Sequence, residues 1–284
     1  MLAGDTVAAA YRDACLAELA ALKPGNVHVF AAGHDMTTAD FEASAEASAP
    51  AMGAPALSVG ARIFEAVRRT RQTVGCNTNL GIVLLCAPLA QAALSTASGS
   101  LRDRLKAILQ RLDVADAEQA FAAIRLAEPG GLGAAPAHDV RMPPTVSLAV
   151  AMAAAADRDR IAAQYADGFA DIFDLGLPRL RAGLARWRSE RWATTSAYLA
   201  FLTRLPDSHV ARKYGVERAE AVCAMAQPYA GRLDEAADPE PLTAPLLAFD
   251  RELKAAGINP GTSADLTVAC LFAHRIEIGE RLAG

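Results

Sequence analysis

The sequence predicts an all-α fold: one globular multi-helix domain over residues 1–284, with one helix buried at its centre. Three observations carry this. Apolar residues recur at helical spacing through nearly the whole chain. Much of the 52% hydrophobic fraction is alanine, while aromatics make up only 6%, a composition that favours helix and close helix packing. No long segment alternates apolar and polar residues as a half-buried strand does. The length is ample for a large core.

A first helix is expected after a cap at Asp5, with Val7, Tyr11, Cys15, Leu19 and Leu22 as its stripe. Lys23-Pro24-Gly25 breaks it, and a loop follows to Asp35. A second helix starts near Thr37 and Thr38 and should end before Pro50. A third runs from about Leu57 to Thr73 and stops at Gly75. Leu80 to Leu94 is apolar nearly all round, which marks the central helix; the run is too long for a typical strand. Leu101, Leu105, Ile108, Leu109 and Leu112 form an amphipathic helix. Asp116 to Gln119 reads as a capping box opening the next, which stops at Pro129-Gly130-Gly131. Further helices are expected over about 145–156, 158–173, 178–187, 192–205, 216–227, 241–256 and 263–282. No internal repeat or low-complexity tail appears.

Formal net charge is -4, which gives no general attraction to nucleic acid or an anionic membrane. The apolar stretch from Gly81 to Ala93 is too short to span a bilayer. The N-terminus lacks the basic-then-apolar pattern of a signal peptide. The five cysteines form no C-x-x-C pair and read as reduced core thiols of a cytoplasmic protein. Alanine-rich helices also suit packing between copies, so a homodimer is an open expectation.

Polar residues cluster in five loops, each just before a helix. The first N–H groups of a helix lack internal partners and carry partial positive charge, so a phosphate placed there gains hydrogen bonds and dipole attraction. The first cluster holds Lys23, Asn26 and His28, then His34 and Asp35; it reads equally as a helix C-cap followed by an N-cap. The second is Asn77-Thr78-Asn79-Leu80-Gly81, where capping accounts for one Asn and a ligand for the other. The third, Pro129 to Gly133 with His138, Asp139 and Arg141, is glycine-rich, with Gly131 at its centre, but lacks the Gly-Lys-Ser/Thr of a nucleotide-binding P-loop. The fourth holds Asp207, His209, Arg212 and Lys213; a solvated basic loop is the alternative. The fifth, Asn259 to Asp265, opens the last helix, with Thr262 or Ser263 as cap. Asp265 suits the helix dipole there and becomes a metal or substrate ligand if it points inward. No catalytic triad, zinc spacing or dinucleotide fingerprint is present.

Taken in order, Lys23-Pro24-Gly25-Asn26-Val27, His34-Asp35-Met36 with Phe41 and Ser44, Asn77-Thr78 with Gly81, Asp207 with Arg212 and Gly215, and Asn259-Pro260-Gly261-Thr262-Ser263-Ala264-Asp265-Leu266 resemble the triphosphoribosyl-dephospho-coenzyme A synthase family over nearly the whole chain. The resemblance implies an all-α transferase that binds ATP with a divalent metal, Mg²⁺, and moves the triphosphoribosyl group onto the ribose 2′-hydroxyl of dephospho-coenzyme A, releasing adenine. It implies catalytic roles for His34, Asp35, Asp207 and Asp265, and metal ligation by Asp35 and Asp265. Substrate contacts would come from Lys23, Asn26, Asn77, Thr78, Asn79, Gly131, His209, Arg212, Lys213 and Ser263. The chain departs from the family pattern in three places. Asn79-Leu80 stands where members carry His-Lys, Leu132 and Ala134 stand in place of an Arg-Glu, and His209 replaces an Asn. These departures resemble a divergent branch associated with one-carbon cofactor synthesis, which would take another phosphorylated substrate; a nucleotide-binding protein without turnover is the non-enzymatic alternative.

Overall fold

The computed structural model describes residues 1–34 and 36–283. Its described residues form fourteen α-helices, a π-helical turn at Asp171–Gly176 and a 3-10 turn at Glu240–Leu242. The only extended pairings among them are two isolated bridges, His28 with Ala31 and Gly33 with Met36.

The helices are α1 (Gly4–Ala20), α2 (Thr38–Gly53), α3 (Val59–Val74), α4 (Leu80–Ala93), α5 (Leu101–Leu109), α6 (Val114–Ala127), α7 (Leu148–Ala153) and α8 (Arg160–Asp167). They continue with α9 (Leu177–Trp187), α10 (Glu190–Arg204), α11 (Ser208–Tyr214), α12 (Val216–Glu235), α13 (Thr243–Ala255) and α14 (Gly261–Ala283). The expected central helix is α4: every residue in it except Gly81 and Gln91 is buried. It packs against α14, which also touches α1 and α10. One apolar cluster joins α1 to α9 with α10 and α14. A second gathers Leu22, Tyr198, Leu199, Val222, Phe249 and Leu253 around α10, α12 and α13.

Three prolines sit inside helices, and each missing N–H is handled differently from what sequence rules lead one to expect. Helix α2 runs through Pro50 and α12 through Pro228, where the sequence predicts endings. In both, the proline and the residue four earlier, Glu46 or Ala224, are exposed, so water can satisfy the freed carbonyl. Pro88 lies in buried α4, and there the Tyr165 hydroxyl donates to the Leu84 carbonyl at 2.6 Å, replacing the lost bond. The C-terminal carbonyls of α2 are held by Arg62, wholly buried, which donates to Ala51 and Met52 at 2.6 and 2.5 Å and to Ala54 at 2.9 Å. Burial brings that guanidinium's pKa down to about 10.

Other boundaries also move. The box opening α6 is built by Asp113 and Asp116, not Asp116 and Gln119; buried Asp116 also accepts from Ser58 Oγ and Gly60 N, tying α6 to α3. Helix α8 stops at Gly168, whose φ is +69°, followed by Phe169 at +62°, so the expected single helix over 158–173 is two pieces. Residues 208–214, expected as a loop, form α11, because the Asp207 carboxylate caps His209 and Val210 N–H.

Candidate active site

A cleft of about 780 Å³ opens where the start of α4, the start of α14, α11 and the C-terminal end of α1 meet. Asn26, Asn77, Thr78, Asn79, His209, Arg212 and Asp265 all line it. Loops separated by nearly the whole chain therefore share one cavity.

Helices α4 and α14 enter it N-terminus first, which brings two positive dipole ends together. At α4, Asn77 Oδ1 accepts from Leu80 N at 3.1 Å and the Asn79 carbonyl takes Val83 N; Gly81 and Ile82, between them, face the cleft. Thr78 Oγ1 lies 2.5 Å from Ser44 Oγ, and Asn79 Nδ2 donates to Thr70 Oγ1 at 3.0 Å. These bonds fix the loop to α2 and α3.

Asp265 sits just past the first turn of α14, not within it as the sequence leads one to expect, and faces α4. A Cβ added to Gly81 would lie 2.0 Å from Asp265 Oδ2, so only glycine lets the carboxylate approach the α4 backbone this closely. Gly261 does the same for His209, whose Nδ1 would be 2.5 Å from a Cβ there. Asp265 has no hydrogen-bond partner among the described residues. Burial, and then the charges of Asp207 and Glu18, push its pKa well up. Burial lowers the His209 pKa, and Arg212 and Lys213 add to this against the pull of Asp207. At neutral pH His209 is therefore an uncharged imidazole facing the cleft.

Behind these groups stands a second set that holds them. Lys23 is 1% exposed; its ammonium contacts Glu18 and donates to Asn26 Oδ1 at 3.2 Å. Asn26 Nδ2 then donates to Asn259 Oδ1 at 2.8 Å, which ties the α1 loop to the α14 loop. Burial pushes Glu18 up and Lys23 down, and each partner opposes the other's shift. Asp207 uses both oxygens: Oδ1 caps α11, and Oδ2 accepts from Ser263 N at 2.8 Å and Ser263 Oγ at 2.9 Å. Asp207 and Ser263 thus fasten α11 to α14 out of reach of the cavity. The Lys23-Pro24-Gly25 turn is anchored in turn, because Gly25 N donates to Asp250 at 2.8 Å and Tyr198 Oη to the Pro24 carbonyl at 2.7 Å.

His34, expected as catalytic, does not line the cleft; its Nε2 lies 2.8 Å from the Gly25 carbonyl. Gly131 packs against the Arg212 backbone while its neighbours Pro129 and Gly130 line the cleft. Lys213 turns away, over the Tyr214 ring. Asp35 lies outside the described residues. Sequence reasoning missed Glu18, which lines the cleft. The signal was present: Glu18 follows Val7, Tyr11 and Ala14 on the buried face of α1, a carboxylate in an apolar stripe five residues before a lysine.

Among the described residues no group of three His, Cys, Asp or Glu side chains is placed to hold a metal ion. The donor set still fits Mg²⁺, which is commonly bound through one or two carboxylates plus substrate phosphates. Asp265 is the unpartnered carboxylate, and Glu18 lies on the same cavity.

A second lobe adjoins the first, sharing Leu84, Ile161 and Arg212 with it. It is mostly apolar, with Phe121, Ile124 and Met152 in its wall and Arg158 at its edge. Arg212 Nη1 is held by Asp159 at 2.5 Å.

The family model for ATP:dephospho-CoA triphosphoribosyl transferase matches residues 4–282. A relative from Pseudomonas syringae pv. syringae, assigned as a 2-(5''-triphosphoribosyl)-3'-dephosphocoenzyme-A synthase, is 34% identical over 116 residues. A relative from Pseudomonas savastanoi pv. phaseolicola with the same assignment is 32% identical over 116 residues. Each match spans 40% of this chain and only 38% of the relative. A crystal structure from Archaeoglobus fulgidus, assigned as a triphosphoribosyl-dephospho-CoA synthase, superposes with a TM-score of 0.64 over 81% of this chain and 96% of that one, at 24% identity. That likeness speaks for the shared all-α fold. With the family model covering almost every residue, the chain belongs to the ATP:dephospho-CoA triphosphoribosyl transferase family.

Proposed function

We propose that this protein transfers the triphosphoribosyl group of ATP to the ribose 2′-hydroxyl of dephospho-coenzyme A and releases adenine. The observation that carries the reading is the shared cavity. Two helix N-termini, an unpartnered carboxylate and an uncharged imidazole face one another across it, in a chain of this family.

In the reaction the bond from the anomeric carbon to the adenine nitrogen breaks, and a bond from that carbon to the acceptor oxygen forms. Positive charge grows on the sugar as adenine departs. Asp265, on the cleft wall and fixed by the α4 backbone at Gly81, is the group suited to face that charge. The attacking hydroxyl loses a proton, and His209 is suited to accept it: its lowered pKa leaves the ring free at neutral pH. Adenine leaves with a proton supplied from solvent. The dipole ends of α4 and α14 and the guanidinium of Arg212 would attract the triphosphate. Asp265 and Glu18 would hold Mg²⁺, which would screen the phosphates from the carboxylates and from one another. Lys23, Asp207 and Ser263 act behind the cavity by keeping its walls together, and Asn26, on the wall itself, ties the α1 loop to Asn259.

The test is incubation with ATP, Mg²⁺ and dephospho-coenzyme A, with adenine followed by chromatography and the product by mass. Equal amounts of free adenine and of acceptor heavier by one triphosphoribosyl group are expected. Unchanged ATP and acceptor after prolonged incubation would overturn the reading.

A further inference from the structure

The second lobe has no part in the chemistry above, yet it opens into the reacting cavity. Its wall is mostly apolar, interrupted by His138, Asp139 and Asp159, and Leu132 in that wall remains 42% exposed: a large apolar side chain facing space rather than protein. Arg212 stands where the two lobes meet and Arg158 edges the second. The two lobes thus share the wall at Leu84, Ile161 and Arg212, and the Arg212 guanidinium is oriented there by Asp159 on the second lobe's wall.

We propose that the second lobe binds the pantetheine arm of the acceptor, with Arg212 and Arg158 at its diphosphate. This rests on the transferase reading and assigns a subsite within it. Dephospho-coenzyme A runs from ribose through diphosphate to a pantetheine chain of methyls and methylenes broken by two amides, so ribose in the first lobe and diphosphate at the shared Arg212 would lead the arm into the second. The donor matches less well. Its adenine is bonded directly to the reacting carbon, which this reading places beside Asp265 in the first lobe. Its other end is triphosphate, which an apolar wall would desolvate without compensation. Leu132 and Ala134 extend the apolar wall on the glycine-rich loop.

The probe is 4′-phosphopantetheine, which carries the arm without the nucleoside, measured by titration calorimetry so that no turnover is needed. The intact protein should bind it, and binding should weaken by about tenfold or more in Leu132→Asp, which places a carboxylate in the apolar wall. Leu132 is exposed on a loop, so folding should be unaffected. Ala155→Phe, which fills the lobe from a half-buried position, should do the same. ATP binding should stay within about twofold in both variants. Failure of the intact protein to bind the probe, or a loss of ATP affinity in place of probe affinity, would overturn the assignment. If the probe binds as expected but no adenine is released with ATP and dephospho-coenzyme A, the subsite stands and the transfer reaction fails.

Discussion

The two lobes that meet at Arg212 are built by opposite means. In the first, nearly every polar group is held by another polar group further back: Glu18 by Lys23, Asn26 by Lys23 and Asn259, Asn79 by Thr70, Thr78 by Ser44. In the second, Phe121, Ile124 and Met152 are placed by packing alone. Hydrogen bonds fix atoms within fractions of an ångström, whereas apolar contact fixes mainly volume. The first lobe is thus made for positioning and the second for affinity. Asp265 and the His209 ring are the exceptions in the first lobe: neither side chain has a hydrogen bond among the described residues, and each lies close against a glycine, Gly81 or Gly261.

The largest effect that would test this contrast is at Asp265. Asp265→Asn keeps the shape and removes the charge, and should lower the rate of adenine release by about 10²–10³. It should also raise the melting temperature when Mg²⁺ is absent. The sign follows from the raised pKa. A carboxyl whose folded pKa exceeds its unfolded value contributes stability in full below the ordinary carboxylate range, and loses it as pH rises through the folded value. The asparagine variant has no such decline, so its advantage should widen from about pH 4 toward neutrality. An unchanged rate in a folded variant would remove Asp265 from the reaction.

His209 comes next. Its lowered pKa means that the unprotonated ring persists below the ordinary histidine range of about 6.5. The kcat/KM profile should therefore hold steady through that value and fall only at more acid pH. His209→Gln should cost about 10² in rate and erase that acid limb. A limb that survives the substitution would belong to another group.

A third change separates holding from reacting. Lys23→Met strands Glu18 in a buried position and should cost about 3–5 kcal/mol of stability in urea unfolding. Adding Glu18→Gln removes the stranded charge and should restore most of that loss. If Glu18 also serves the cavity, adenine release should stay low in the double variant although the fold has recovered. Recovery of both would make the pair purely structural.

How much of this was legible in the sequence depends on whether a signal is local. Helix α4 was readable because apolar residues on every side of fourteen consecutive positions leave few alternatives. The first, second and fifth loops were readable as helix starts because caps and glycines act on their immediate neighbours; the third ends at Arg141, short of α7 at Leu148, and most of the fourth is helix α11. The reach of prolines was not: Pro50, Pro88 and Pro228 were survivable only because of exposure at the residue four earlier or a hydroxyl from Tyr165, which are tertiary facts. Likewise Asp207 and Ser263 carry polar atoms of the right type, but bonding between α11 and α14 turns them inward as fasteners. Lys213 is adjacent to Arg212, yet the helical turn of α11 sends the two apart. The second lobe left no motif at all, since alanine, methionine and isoleucine look the same in a core and in a wall.

The smallest expected effect gives the sharpest contrast, because it compares one methylene in each lobe. Ile124→Val removes a methylene from the apolar wall, where contact area is worth about 0.8 kcal/mol per group. The KM for dephospho-coenzyme A should rise about fourfold, with kcat unchanged. Asp265→Glu adds a methylene in the polar lobe, where the carboxylate already abuts Gly81. It should lower kcat by about 10², because a displacement of roughly an ångström breaks alignment at the reacting carbon. The two substitutions change volume by the same amount with opposite sign, so a purely volumetric account would give effects of similar size. Rates measured for both with saturating ATP decide the matter: if Ile124→Val lowers kcat as much as Asp265→Glu does, the division into a positioning lobe and an affinity lobe is wrong.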